Sequence, residues 1–189
     1  YMHWRAQTDV LEHVAAVRNV EMNLERGDVP EAIAVVQTTA EYVGAYRPRL
    51  AMGRWLTAEE ALPNGGYVVV LSYNFWTQRL GSDPNVLGKS VTMSGNPYTI
   101  VGVVGREFDV RDFGAAPEVW VPFQLDPNTA DQGHYFQTVG RLRPGVSLEQ
   151  AEQELRQLAN RPEQPLSYTA VSLSDVLFGD VRTPLFVLL

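Results

Sequence analysis

The sequence predicts an α+β fold with more strand than helix, and three features point to it. A short β-branched run, Tyr67–Leu71, leads directly into Ser72 and a helix carrying Phe75, Trp76 and Leu80. Ser90–Met93 and Tyr98–Val104 face each other across Ser94-Gly95-Asn96, where glycine and asparagine accept the positive φ of a tight hairpin. The last third alternates strand, helix and strand, with Tyr135–Leu142, a helix from Ser147, and Leu166–Leu173.

The elements follow in chain order. Val10, Leu11, Val14 and Val17 recur at helical spacing, which predicts a first helix over Asp9–Val17 capped by Thr8 or Asp9. Strands at Val20–Glu25 and Ala32–Thr38 are joined by a Gly27-Asp28 turn. Thr39 caps a short helix through Tyr42 and Val43, and a loop through Arg47-Pro48 leads to Gly53-Arg54-Trp55. Pro63-Asn64-Gly65-Gly66 is a turn. Ser72 supplies an N-cap and Gly81 stands where a helix C-terminal glycine belongs. Asp83-Pro84 starts another turn, Glu118–Val121 is a strand ended by Pro122, and Phe123–Gly133 is a loop. Ser147 and Gln150 form a capping box, after which Leu148, Ala151, Leu155 and Leu158 share one helix face. Pro162 and Pro165 end that helix.

A chain of 189 residues, 45% hydrophobic and 20% charged, is large enough to hold a core without a metal or cross-links. Its net charge is −7 and its Lys and Arg are scattered, so neither nucleic acid nor a bare anionic lipid surface is an expected partner. With no cysteine there is no disulfide, thiolate metal site or Cys nucleophile. The N-terminal residues lack the long apolar region of a signal peptide, and no run approaches the roughly 20 apolar residues that span a bilayer. The terminal Thr183–Leu189 is uniformly apolar, and reads either as a buried element or as the opening of a membrane helix.

The residues that invite a chemical reading have plainer ones. Gly88-Lys89-Ser90 resembles the end of a phosphate loop, but the pattern needs glycine at position 83, where Asp83 stands, and a helix where Val91-Thr92-Met93 reads as strand. A turn leading into the hairpin is the better reading. His3, His13 and His134 form no metal-binding spacing, and Asp131 and His134 could meet in a loop, but two residues do not make a site. Ser72 follows a buried strand but lacks the flanking glycines of a nucleophile elbow. Glu59-Glu60 and Glu152/Glu154 read as solvated carboxylates. Trp55, Trp76 and Trp120 adjoin apolar runs and read as core or subdomain-interface residues, the alternative being a stripe for carbohydrate or lipid. No catalytic, cofactor-binding or metal-binding residue is assigned, no cofactor is expected, and no substrate-contacting residue can be named.

One resemblance does point to a function. Val68–Trp76 continues through Arg79-Leu80-Gly81, Asp83-Pro84, Val86-Leu87-Gly88-Lys89 and Gly95–Val103. Gly53-Arg54 precedes this block, and Glu118-Val119-Trp120-Val121-Pro122 and Arg141–Ala151 follow it. Together these segments resemble the MacB-like periplasmic core domain of FtsX/MacB-type ABC-transporter permeases, in the version built from two duplicated halves. Gly179-Asp180-Val181-Arg182 with Pro184-Leu185 resembles that family's approach to the next membrane helix. The chain departs from the pattern at Tyr46–Leu50 and at Val104–Glu107 before Phe108, which affects loops. The resemblance implies one extracytoplasmic domain over 1–189, with a porter-like βαβ part (about 1–60 with 123–189) and an inserted β-rich part (about 61–122). It also implies a periplasmic location, and a function in coupling ATP-driven motion of membrane helices to export or release of a substrate. The implied partners are the permease's own transmembrane helices, a separate cytoplasmic ATPase subunit, a second permease half or homodimer mate, and an envelope export partner. An FtsX-like scaffold activating a cell-wall hydrolase is the first alternative and a hydrolase the second; nothing in the residues supports an enzyme.

Overall fold

The structure, a computed structural model, describes residues 8–27, 29–108, 110, 115–126, 136–161, 164–165 and 171–172. It is an α+β fold; among the described residues eight strands share one sheet, accompanied by three helices. The strands are β1 (Leu11–Leu24), β2 (Glu31–Thr38), β3 (Leu50–Gly53), β4 (Val68–Leu71), β5 (Ser90–Met93), β6 (Asn96–Val104), β7 (Val119–Pro122) and β8 (Gln137–Leu142). The helices are α1 (Tyr42–Tyr46), α2 (Tyr73–Leu80) and α3 (Leu148–Ala159), and β9 (Asn160–Arg161) with β10 (Gln164–Pro165) forms a separate two-stranded ladder.

The main sheet runs β2-β7-β4-β6-β5-β1-β8, with β3 also on β6. Because β1 pairs with β2 as well, the path from β2 through β7, β4, β6 and β5 returns to its start. Six strands thus close a ring, and β8 lies outside it on β1. Closure needs a contact as small as Leu24 opposite Met93, which the β5–β6 hairpin supplies. Ring closure leaves few free edges.

Two apolar cores lie on the two faces of these strands, as alternation requires. Val69 and Leu71 of β4, Val119 and Val121 of β7, and Ile33 and Val35 of β2 join Phe75 of α2 in one core. Val70, Trp120 and Val36, their neighbours in sequence, enter the second core with Ala15, Val17, Tyr42, Trp55, Leu56 and Val104.

Local chemistry explains several elements. The Ser72 hydroxyl accepts from the Phe75 N–H at 3.0 Å and Gly81 takes the left-handed conformation, so α2 begins and ends as its sequence predicts. Ser94 (φ 47°) and Gly95 (φ 79°) form a two-residue hairpin loop, and β6 therefore starts at Asn96, opposite Met93, rather than at Tyr98. Ser147 and Gln150 exchange their reciprocal capping bonds, at 3.2 and 2.8 Å, at the start of α3.

The predicted helix over Asp9–Val17 is overturned. Leu11–Val17 form the first half of β1, a single strand of 14 residues, and Asp9 and Val10 bend into it. Val14, Ala15, Ala16 and Val17 are all buried, so this stretch is covered on both faces. A doubly buried strand shows no alternation, and its valines happened to fall at helical spacing. Thr39 does not cap α1: its hydroxyl accepts from the Ala16 N–H, and Glu41 occupies the cap position without a side-chain capping bond. The expected loop before Gly53 contains β3, recruited by β6. The predicted strand Leu166–Leu173 lies largely outside the described residues, with Val171 and Ser172 unpaired, and the apolar terminus lies wholly outside them.

Candidate functional site

The feature most suited to a task is the junction at the middle of β1. Fourteen extended residues span about 45 Å. From Leu11 to Val17 the strand pairs with β8, and from Val17 to Leu24 with β2 on its other edge. At Val17, opposite both Thr38 and Gln137, the partners change over.

Helix α1 follows β2 and lies against β1 and β8 beside this point. A helix end leaves its last carbonyls without intrahelical donors. Arg141 of β8 meets that need: its Nε donates to the carbonyls of Gly44 and Ala45 at 3.2 and 2.9 Å, and one terminal nitrogen donates to Ala45 at 2.5 Å. Arg47, which ends α1 in the left-handed conformation, donates to the Glu12 carboxylate of β1 at 3.2 Å. The His13 ring presses on Gly44 so closely that a Cβ there would lie 2.4 Å from Nδ1. The opposite side of α1 is aromatic. Tyr42 stacks on Tyr46 at 4.2 Å and on Trp55 at 5.5 Å, and Trp55 and Phe108 reach Trp120 of β7 at 5.9 and 5.6 Å.

A second tie holds the start of β1 to α3. One oxygen of Glu154 accepts from the Thr8 hydroxyl at 3.0 Å and from the Asp9 N–H at 2.9 Å. Across the ring, Arg79 of α2 forks onto Glu31 of β2 and also reaches Glu118 before β7. Arg54 binds Glu60 with both terminal nitrogens, and Lys89 pairs with Asp83.

These ion pairs set the pH response. The Arg79 guanidinium holds the Glu31 carboxyl below its ordinary range, as Arg54 does for Glu60 and Lys89 for Asp83. A carboxyl depressed in the folded state binds its proton more readily once unfolded, so folding is favoured above the ordinary carboxylate range and loses that support as pH falls through it. The Tyr98 hydroxyl is pushed up by burial, which acts at the other end: the unfolded chain releases that proton first. The melting temperature is therefore expected to be flat near neutrality and to fall below about pH 4.5. It should fall again above pH 10. Glu60→Gln should flatten the acid limb relative to the wild type, and an unchanged limb would refute the assignment to that pair.

The residues with chemical alternatives occupy plain roles. Ser90 of Gly88-Lys89-Ser90 opens β5, and Lys89 is spent on Asp83. Ser72 caps α2. Glu59 and Glu60 sit in a turn over Thr57, and Glu152 pairs with Arg156 on α3. His13 lies on β1, while His3, Asp131 and His134 fall outside the described residues. Trp55 and Trp120 are core, and half-buried Trp76 donates its indole N–H to the Asp83 carbonyl at 2.9 Å. Among the described residues no three His, Asp or Glu side chains converge on a metal position. A groove of about 250 Å³ runs over the β1–β2 ladder, with Asn19 and Glu21 as its only polar side chains among the described residues. The Arg141 and Glu154 ties were missed in sequence, because each joins segments about 100 residues or more apart and leaves no local signal.

The family model for the MacB-like periplasmic core domain matches residues 2–158, and the chain belongs to that family. Over 138 residues it is 27% identical to the macrolide export ATP-binding/permease protein MacB 1 of Yersinia pestis bv. Antiqua (strain Antiqua), a match covering 72% of this chain and 21% of that protein. The MacB of Photorhabdus laumondii is 23% identical over 139 residues, covering 73% and 21%. The chain thus spans about a fifth of the length of the curated relatives it matches. Among solved structures, its fold is similar to the periplasmic region of MacB from Actinobacillus actinomycetemcomitans, with a TM-score of 0.61 at 20% identity over 81% of this chain and 68% of that one. It is similar also to the extracellular domain of the ABC-type transporter YknZ from Gram-positive bacteria, with a TM-score of 0.54 at 18% identity over 80% and 72%. No helix among the described residues is long and apolar enough to cross a membrane.

Proposed function

We propose that the chain is the extracytoplasmic domain of an ABC-transporter permease, on the periplasmic side of the bacterial cytoplasmic membrane. It couples ATP-driven motion of the permease's own helices to export or release of a substrate outside the membrane. The observation that carries this reading is the family match over residues 2–158. The long β1, tied at one end to α3 and built at the other into a closed ring, supplies a stiff element suited to passing movement along. In this reading β1, β2, α1 and β3 with β8 and α3 form the porter-like part. The strands between residues 61 and 122 form the insert, which β1 and β2 reach by pairing with β5 and β7. ATP is hydrolysed by a separate cytoplasmic subunit, and a second permease half or homodimer mate completes the assembly.

The test is to crosslink the full-length permease in its native membrane, purify it and identify what accompanies it by mass spectrometry. Recovery of an ATPase subunit, with or without an envelope export partner, supports the transporter. Recovery of a cell-wall hydrolase in its place makes the domain an activating scaffold, and the absence of any ATPase overturns the ATP-driven mechanism.

A further inference from the structure

We infer that α1 is a brace across the β1 junction, and that Arg141 is the positioning residue that locks it. A strand that changes partners from one edge to the other is held at the changeover by its continuous backbone and by local contacts, here the bonds of Thr38 and Thr39 to Ala16 and the Phe123–Phe136 ring contact. Val17 is that point. The half of β1 before it is laddered to β8, and the half after it to β2 and the ring. Without a bridge, movement of the β8 side would be absorbed by local flexing of β1.

Helix α1 supplies the bridge, and its two sides are built differently. Toward β1 and β8 its contacts are polar and directional: three Arg141 bonds to its last carbonyls, Arg47 on Glu12, and the His13 ring on Gly44. Arg141 and His13 are direct cross-strand partners, so both ladder strands grip the same turn of helix. Toward the ring its contacts are stacked aromatics that end on Trp120, which lies between Val36 of β2 and Val70 of β4. A planar guanidinium holding two carbonyls fixes orientation as well as distance, which a lysine ammonium cannot do. Five helical residues are too few to be stable by themselves, so α1 keeps its place through tertiary contacts such as these. Arg141 is therefore not a binding residue. It determines whether the two ends of β1 move as one body.

The consequence for transport rests on the proposed permease role, but the brace itself does not. The domain has no cysteine, so label pairs can be placed freely in a full-length permease whose other cysteines have been removed. One pair, Gln153→Cys on α3 with Asn85→Cys after α2, spans the junction, and a control pair, Glu21→Cys with Asn85→Cys, lies on the ring side of it. All three positions are exposed. Spin-label distance distributions are recorded for the permease in lipid vesicles with its ATPase, with and without ATP. Arg141→Ala is expected to widen the spanning distribution roughly twofold and to leave the control pair unchanged. A spanning width equal to the wild type overturns the brace, and so does equal widening of both pairs, which would mean general loosening. Should Arg141→Ala not fold, Arg141→Lys is read instead: widening confined to the spanning pair supports the brace and a wild-type width overturns it. A wild-type spanning distance that ignores ATP counts against the coupling function alone, because the widths are compared without nucleotide.

Discussion

Gly102→Ala is expected to lower the unfolding free energy of the domain by about 3–5 kcal/mol, among the largest effects of any single substitution here. Gly102 sits in β6 where two neighbours meet it: β3 pairs through Gly53, and β4 pairs through Val70 with a register shift just before it. A Cβ on Gly102 would lie 2.2 Å from the Arg54 carbonyl oxygen, a backbone atom that cannot rotate away. Gly53 makes the reciprocal demand, since its Cβ would lie 2.3 Å from the Val101 oxygen, and its φ of +76° is one that side-chain-bearing residues resist. Relief requires β3 to leave β6, with loss of the Arg54 N–H bond to Val101 (2.9 Å) and of the Gly105 bond to Arg49 (2.7 Å). Gly95→Ala is the control. It too has a positive φ, but nothing lies within 4 Å of its Cβ, so only backbone strain of about 1 kcal/mol applies. Urea denaturation of the three proteins decides the matter, and equal midpoints for Gly102→Ala and Gly95→Ala would refute the close-approach account.

Trp120→Ala is expected to cost about 3–5 kcal/mol by leaving a large void. Trp120 is 1% exposed and has four cross-strand or ring neighbours, Val36, Val70, Trp55 and Phe108, in the middle of the second core. Its removal also takes the support from behind Trp55 and Phe108, the rings on which Tyr42 packs, so the aromatic side of α1 is loosened while Arg141 still holds the polar one. Trp120→Phe keeps most of the apolar volume and removes an indole N–H that finds no acceptor among the described residues, so it should cost well under half as much. Thermal melting with a near-ultraviolet signal from the remaining tryptophans measures both variants. A Phe variant as damaged as the Ala variant would show that indole shape, rather than buried volume, is what the core requires.

These predictions separate what could be read along the chain from what could not. Several of the residues between Gly53 and Ala151 that resemble the family have local reasons. Ser72 and Gly81 bracket α2, Ser94-Gly95 turns the hairpin, and Ser147 with Gln150 opens α3. Each is settled by atoms within a few residues, so a sequence displays it directly. Of the carboxylates raised as catalytic alternatives and read as solvated, Glu60 and Glu152 pair with Arg54 and Arg156 six and four residues away, whereas Glu154 is taken by Thr8 and Asp9 from the far end of the chain.

What the sequence determined by itself was therefore the family, the α+β class, and the elements whose start, stop or turn is local. Tertiary structure alone decided the state of residues 11–17, where valines at helical spacing became a strand because β8, more than 100 residues later, supplies the ladder. It also decided the existence of β3, which needs β6, and the position of α1, where Thr39 gave its hydroxyl to Ala16 instead of to the helix. Ring closure, the changeover at Val17 and the reach of Arg141 to the end of α1 belong to the same class. In each case the deciding hydrogen bonds and buried contacts come from segments far apart in the chain, and a single-chain pattern holds no record of which distant donor will arrive.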